Sequence, residues 1–183
     1  MRESASQTAG PYVHIGLLPN AAGIGMYGGA DPGAEMITGA AEGDRIEIAI
    51  TILDGADEPL ADALVEIWQA DATGHLPPRD PHLAGWARRA CDETGTARLS
   101  TVRPGAAGEH APHLTLWIVA RGINLGLHTR LYFDGDPANA TDPLLTAIDP
   151  PDRAATLLAH EADGAWHMTI RLQGDAETVF LDM

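Results

Sequence analysis

Isoleucine occupies every second position from 46 to 52 in the segment Arg45-Ile-Glu-Ile-Ala-Ile-Thr-Ile-Leu53, with Glu47 and Thr51 between. Side chains alternate across a β-strand, so this spacing draws one apolar face and one polar face. The pattern recurs near the end, where Trp166, Met168, Ile170 and Leu172 alternate with His167, Thr169 and Arg171. Strand character also marks Ala63–Ala70, Thr96–Val102, Leu114–Ala120, Leu127–Phe133 and Glu177–Leu181, with turn residues at 54–59, 92–95 and 103–105. Gly10–Leu18 has strand character within a Gly- and Ala-rich opening. Helix is scarce: Asp142-Pro143 predicts a capped short helix through Ile148, and Asp149-Pro150 a second through about Ala159. Seven to eight short strands predict an all-β chain, a β-sandwich with a short helical insert (43–183) and an extended N-terminal arm (1–42).

Charge narrows the partners. The chain carries 26 acids against 11 bases, all arginine, for a formal charge of -15. That field argues against nucleic acid and anionic membrane as partners. The sequence has no stretch near 18 apolar residues and no basic, apolar leader, and a single cysteine, Cys91, fits a reducing compartment. A cytoplasmic protein is expected.

Few residues promise chemistry. Arg121 ends an apolar strand, and its guanidinium fork suits a planar carboxylate, although a plain ion pair is the commoner use of such an arginine. A metal site on a strand would want His-x-His, and none of the eight histidines forms that pair. His110 and His113 stand three apart in a Pro-rich loop, and His128 shares a strand face with Arg130 and Tyr132. Trp68 and Trp117 read as core or interface anchors, and no phosphate loop or nucleophile elbow is present.

Several segments together carry a specific resemblance: SQTAGPYVHIG (Ser6–Gly16), LVEIWQADATG (Leu64–Gly74), TVRPG (Thr101–Gly105), APHLTLWIVARGIN with LHTRLYF (Ala111–Phe133) and IRLQGDAETVFLD (Ile170–Asp182). In these the chain resembles the intradiol aromatic-ring dioxygenases, non-haem Fe(III) enzymes, and within them the α-type subunit of two-chain members. The resemblance implies a β-sandwich that pairs with a homologous iron-binding β-type subunit in an (αβ)n assembly. The implied reaction, in aromatic catabolism through the β-ketoadipate pathway, opens protocatechuate (3,4-dihydroxybenzoate) with O2 to 3-carboxy-cis,cis-muconate.

The family holds iron through two tyrosines and two histidines. Carried onto this chain, those positions fall at Leu76, Ala107, His113 and Thr115, so one ligand of four survives. The resemblance therefore implies no metal ligand set here and Fe(III) on the partner. It also implies that Thr8, Ala9, Gly10, Pro11 and Tyr12 lie over the partner's substrate pocket, with Arg121 offsetting the substrate carboxylate as the catalytic-site arginine. Two other functions stay open from sequence. One is a non-catalytic β-sandwich whose arm binds another protein. The other is a self-sufficient catechol-type metalloenzyme using His110, His113, His128 and a tyrosine.

Overall fold

The computed structural model describes residues 8–182. Eight strands are formed: β1 (Arg45–Leu53), β2 (Leu64–Gln69), β3 (Trp86–Ala90), β4 (Thr96–Val102), β5 (His113–Val119), β6 (Leu127–Phe133), β7 (Leu158–Ala162) and β8 (Ala165–Arg171). Their order is β3-β2-β5-β6-β7-β8-β1-β4. The join in the middle is thin, a parallel contact of Tyr132 with Leu158 and Phe133 with Ala159. The order thus divides into two four-stranded halves, the faces of a sandwich.

The core between them is built by alternation. Ile48, Ile50, Ile52, Leu99, Met168 and Ile170 from one half meet Ile67, Leu114, Leu116, Ile118 and Leu131 from the other. β1 runs parallel to β8 and antiparallel to β4, which sets its isoleucines inward as expected. Among the described residues, no helix is long and apolar enough to cross a membrane.

Three sequence expectations are corrected. Gly10–Leu18 is not a strand: Pro11–Leu17 is a helix, α1. Proline at the first turn suits a helix start. Val13 and Leu17, four apart, share a helical face and pack with Leu18 on Leu64 and Val119 of the sheet. Tertiary packing thereby overrides the strand preference of Val and Ile. The second helix is a 3-10 segment, Pro151–Leu157, that ends in β7. Glu177–Leu181 is not a strand but is tied down by Thr178, whose backbone N–H donates to Arg171 O and whose hydroxyl accepts from Arg171 N. The predicted first helix is present as α2 (Pro143–Ala147), with Asp142 accepting from Leu144 N and Leu145 N.

The rest of the described arm lies on its own sandwich. Arg88 N donates to Gly33 O, Ala84 N to Met36 O and Thr38 N to His82 O, and Met36 enters the main core. Ser6 and Gln7 of the N-terminal motif lie outside the described residues.

Candidate functional site

The outer face of β3-β2-β5-β6 is a set of rungs fixed by register. One rung aligns Ala90, Leu64 and Val119, the next Arg88, Glu66, Trp117 and His128, and the next Trp86, Trp68, Thr115 and Arg130; His113 then faces Tyr132. Helix α1 covers the first rung, and Arg88 pins it by donating to Leu17 O at 3.1 Å while paired with Glu66. The arm and the His113 end of the face therefore occupy opposite ends of β5.

At the His113 end, Leu76, Ala107, His113 and Thr115 converge on one crevice together with Trp68, Gln69, Ala70 and Gly105. Two loops bring them there. Asp71 accepts N–H groups of Thr73, His75 and Arg79 and the Thr73 hydroxyl, which fixes the loop that delivers Leu76. Burial works against ionisation of Asp71, but those donors outweigh it and hold its carboxyl far below the usual range. Gly74, at φ +87°, sits so close to the Ala106 carbonyl that a Cβ would overlap it, so only glycine lets the two loops meet. The crevice measures about 10 Å³, the space of one water at most. At the four positions to which the resemblance carries the ligands, its lining offers one imidazole, one hydroxyl and two hydrocarbon side chains, a donor set that does not fit Fe(III).

His113, placed by the sequence in a Pro-rich loop, is buried and opens β5. Its Nδ1 lies 2.7 Å from Ala111 O, and because a carbonyl only accepts, Nδ1 carries the proton. Burial pushes its pKa down to about 4, and the Ala111 carbonyl offsets this only in part. An unfolded histidine titrates near pH 6.5, so between about pH 6.5 and 4 the unfolded chain binds a proton that the folded chain refuses. The stabilisation is complete above that window and is lost as pH falls through it, by about 3 kcal/mol in all. Urea unfolding of wild type and His113→Gln across this range should show the steeper decline in wild type, and equal slopes would contradict it.

Next to His113 lies a part-buried polar network. Tyr132 donates to Asp142 Oδ1 at 3.2 Å, and Arg130 Nη1 donates to the Tyr132 hydroxyl at 3.0 Å. His110 Nδ1 stands 3.2 Å from Asp142 Oδ2 and 3.1 Å from Arg130 Nη1, so one nitrogen can serve the carboxylate as donor or the guanidinium as acceptor, not both. Burial lifts the Tyr132 phenol to about 12, which leaves it protonated and donating. The His110 and His113 rings approach to 5.7 Å, but His128 is two rungs from His113 with Arg130 between, so the three imidazoles do not face one point. Among the described residues no group of three or more His, Cys, Asp or Glu side chains could hold a metal.

The arm residues meet Arg121 at the far end of β5. Gly122 N donates to Thr8 Oγ1 at 2.6 Å across 114 residues of sequence. Ala9, Gly10, His14, Asp62 and Arg121 line a pocket of about 150 Å³. The Arg121 side chain is 76% exposed, and its Nε lies 3.2 Å from Asp62 Oδ2. Asp62 and His14 were not singled out from sequence; His14 Nε2 is buried without a partner, and only the helical turn of α1 brings it to the pocket. Tyr12 points away from the fold and is 82% exposed. Of the five arm residues, Ala9 and Gly10 join Arg121 at the pocket, Thr8 anchors them, and Pro11 starts α1.

The family model described as Dioxygenase (Dioxygenase_C) matches residues 29–172. The chain belongs to the intradiol dioxygenase family. It is 41% identical to the protocatechuate 3,4-dioxygenase alpha chain of Pseudomonas putida, over 98% of this chain and 96% of that one. The protocatechuate 3,4-dioxygenase beta chain of Burkholderia cepacia is 34% identical over 56% of this chain and half of its own length. Among solved structures, the dioxygenase domain of a carbohydrate-binding fusion from Streptomyces sp. SirexAA-E matches with a TM-score of 0.58 and 25% identity, over 80% of this chain and 93% of that one. An intradiol dioxygenase is an oxidoreductase that works with non-haem iron.

Proposed function

We propose that this chain is the α-type subunit of a heteromeric protocatechuate 3,4-dioxygenase, working beside a homologous β-type subunit that holds the iron. The carrying observation is the meeting of Thr8–Gly10 with Arg121 around one solvent-open pocket, far from the chain's own crevice. Full-length similarity to alpha chains supports the same reading. The iron of the partner supplies the oxygen chemistry that converts protocatechuate and O2 to 3-carboxy-cis,cis-muconate. This chain contributes positioning and charge. Gly10 lets the arm backbone approach the ring closely, Thr8 anchors the arm to Gly122, and Arg121 offers a fork to the substrate carboxylate. Asp62 holds that guanidinium in the meantime and leaves it largely open to solvent. The buried free thiol of Cys91, pushed by burial to about 12, is inert.

The test is co-expression with a β-type partner, then iron quantitation on each separated chain and O2 uptake with protocatechuate. The chain alone should be colourless and inactive, and the complex should be active with its iron on the partner. Stoichiometric iron and turnover in the isolated chain would overturn the assignment.

A further inference from the structure

The crevice offers too few donors for a metal, and beside it stands a charge. In the β5–β6 ladder Arg130 is directly opposite Thr115, one of the emptied ligand positions, while Tyr132 is opposite His113, the surviving one. Residues opposed in this way project from the same face. A guanidinium stays protonated at any working pH. Its Nη1 is held by Tyr132 and His110, and its Nε is buried without a partner.

The nearby carboxylate does not touch it. Asp142 Oδ1 accepts from Leu144 N, Leu145 N and the Tyr132 hydroxyl, and Oδ2 accepts from Ala111 N and faces His110. Asp142 thus acts on Arg130 through Tyr132 and His110, and its own charge is spent on backbone N–H groups. A buried orphan nitrogen on a fixed cation is an expensive arrangement to keep.

We propose that Arg130 is a cation-excluding residue, which keeps multivalent metal ions out of the crevice independently of the missing ligands. The inference rests on reading Leu76, Ala107, His113 and Thr115 as an emptied ligand set. Repulsion scales with the product of charges, so a ferric ion meets three times the opposition of a monovalent one, with little water to screen it. The network of Asp142, Tyr132 and His110 fixes the guanidinium where that repulsion acts.

The test restores the donors. Leu76→Tyr, Ala107→Tyr and Thr115→His are introduced together in the full chain, with position 130 as Arg, Lys or Gln. Each variant is titrated with ferric nitrilotriacetate, and bound iron is read after desalting and from the visible phenolate-to-iron band. The Gln variant should bind iron about ten-fold more tightly, or better, than the Arg variant, with Lys resembling Arg because it keeps the charge. Equal uptake with Arg and Gln, whether high or nil, overturns the proposal. Circular dichroism checks folding; should Arg130→Gln fail to fold, Arg130→Met with Tyr132→Phe removes the phenol's partner together with the guanidinium and makes the same comparison. The assay needs neither partner nor turnover, so its failure leaves the role of Arg121 standing, and loss of that role leaves this result standing.

Discussion

Asp142→Ala should cost this chain about 3 to 5 kcal/mol of stability, a large part of the 5 to 15 that a domain possesses. The carboxylate has no exposed surface. Its loss removes the cap of α2 at Leu144 N and Leu145 N and leaves Ala111 N and the Tyr132 hydroxyl buried without their acceptor. A lost cap is worth about 1 kcal/mol, and each buried unpaired donor about 1 to 3. Burial by itself would raise the pKa of Asp142, but donation by Leu145, Ala111, Leu144 and His110 outweighs it and holds the group below the usual carboxylate value. The contribution is therefore present above the unfolded pKa and is lost as pH falls through the folded one. Urea unfolding at pH 7 is the measurement. Asp142→Asn should cost less than Asp142→Ala, because its amide oxygen can keep the α2 cap and the Tyr132 bond, and its remaining cost is the donor-against-donor meeting of its NH2 with Ala111 N–H. A loss under 1 kcal/mol for the alanine variant would mean that the network holds nothing in place.

Asp142 also marks how far the sequence could be read. As the residue before Pro143 it was legible as a cap, because capping is local chemistry. Its grip on Tyr132, His110 and Ala111 depends on the β5–β6 register, which puts His113 opposite Tyr132 and carries no local signature. The alternating strands β1 and β8 were legible because each buries one face. β3 was not, since Arg88 and Arg89 conceal it: one pairs with Glu66, the other donates to Gly33 O and Arg98 O. α1 was misread because seven residues give too short a window to separate a helical stripe from a strand, and the sheet beneath it decides. The crevice was legible only through resemblance. Leu76 and Ala107 lie in loops without periodicity, and their meeting depends on Asp71 and on the close approach at Gly74.

In the complex with a β-type partner, Arg121→Ala should lower kcat/KM for protocatechuate by about a hundred-fold, the cost of leaving a substrate carboxylate without its fork in a closed site. The effect should be specific to that carboxylate, so turnover of plain catechol by the same complex should change little. Arg121→Lys should recover part of the loss, since an ammonium keeps the charge but not the bidentate geometry. The competing explanation is that Arg121 serves only its ion pair with Asp62, 3.2 Å away. That pair is exposed and worth at most about 1 kcal/mol to the fold. Asp62→Ala separates the two, because it removes the pair and leaves the guanidinium available. If Asp62→Ala harmed turnover as much as Arg121→Ala, or if Arg121→Ala hurt catechol and protocatechuate alike, the arginine would be shaping the loop at Gly122 and the anchor of Thr8 rather than meeting the substrate. If only Arg121→Ala is damaging, and only toward the carboxylated ring, the arm and the arginine act as one surface presented to a site on another chain.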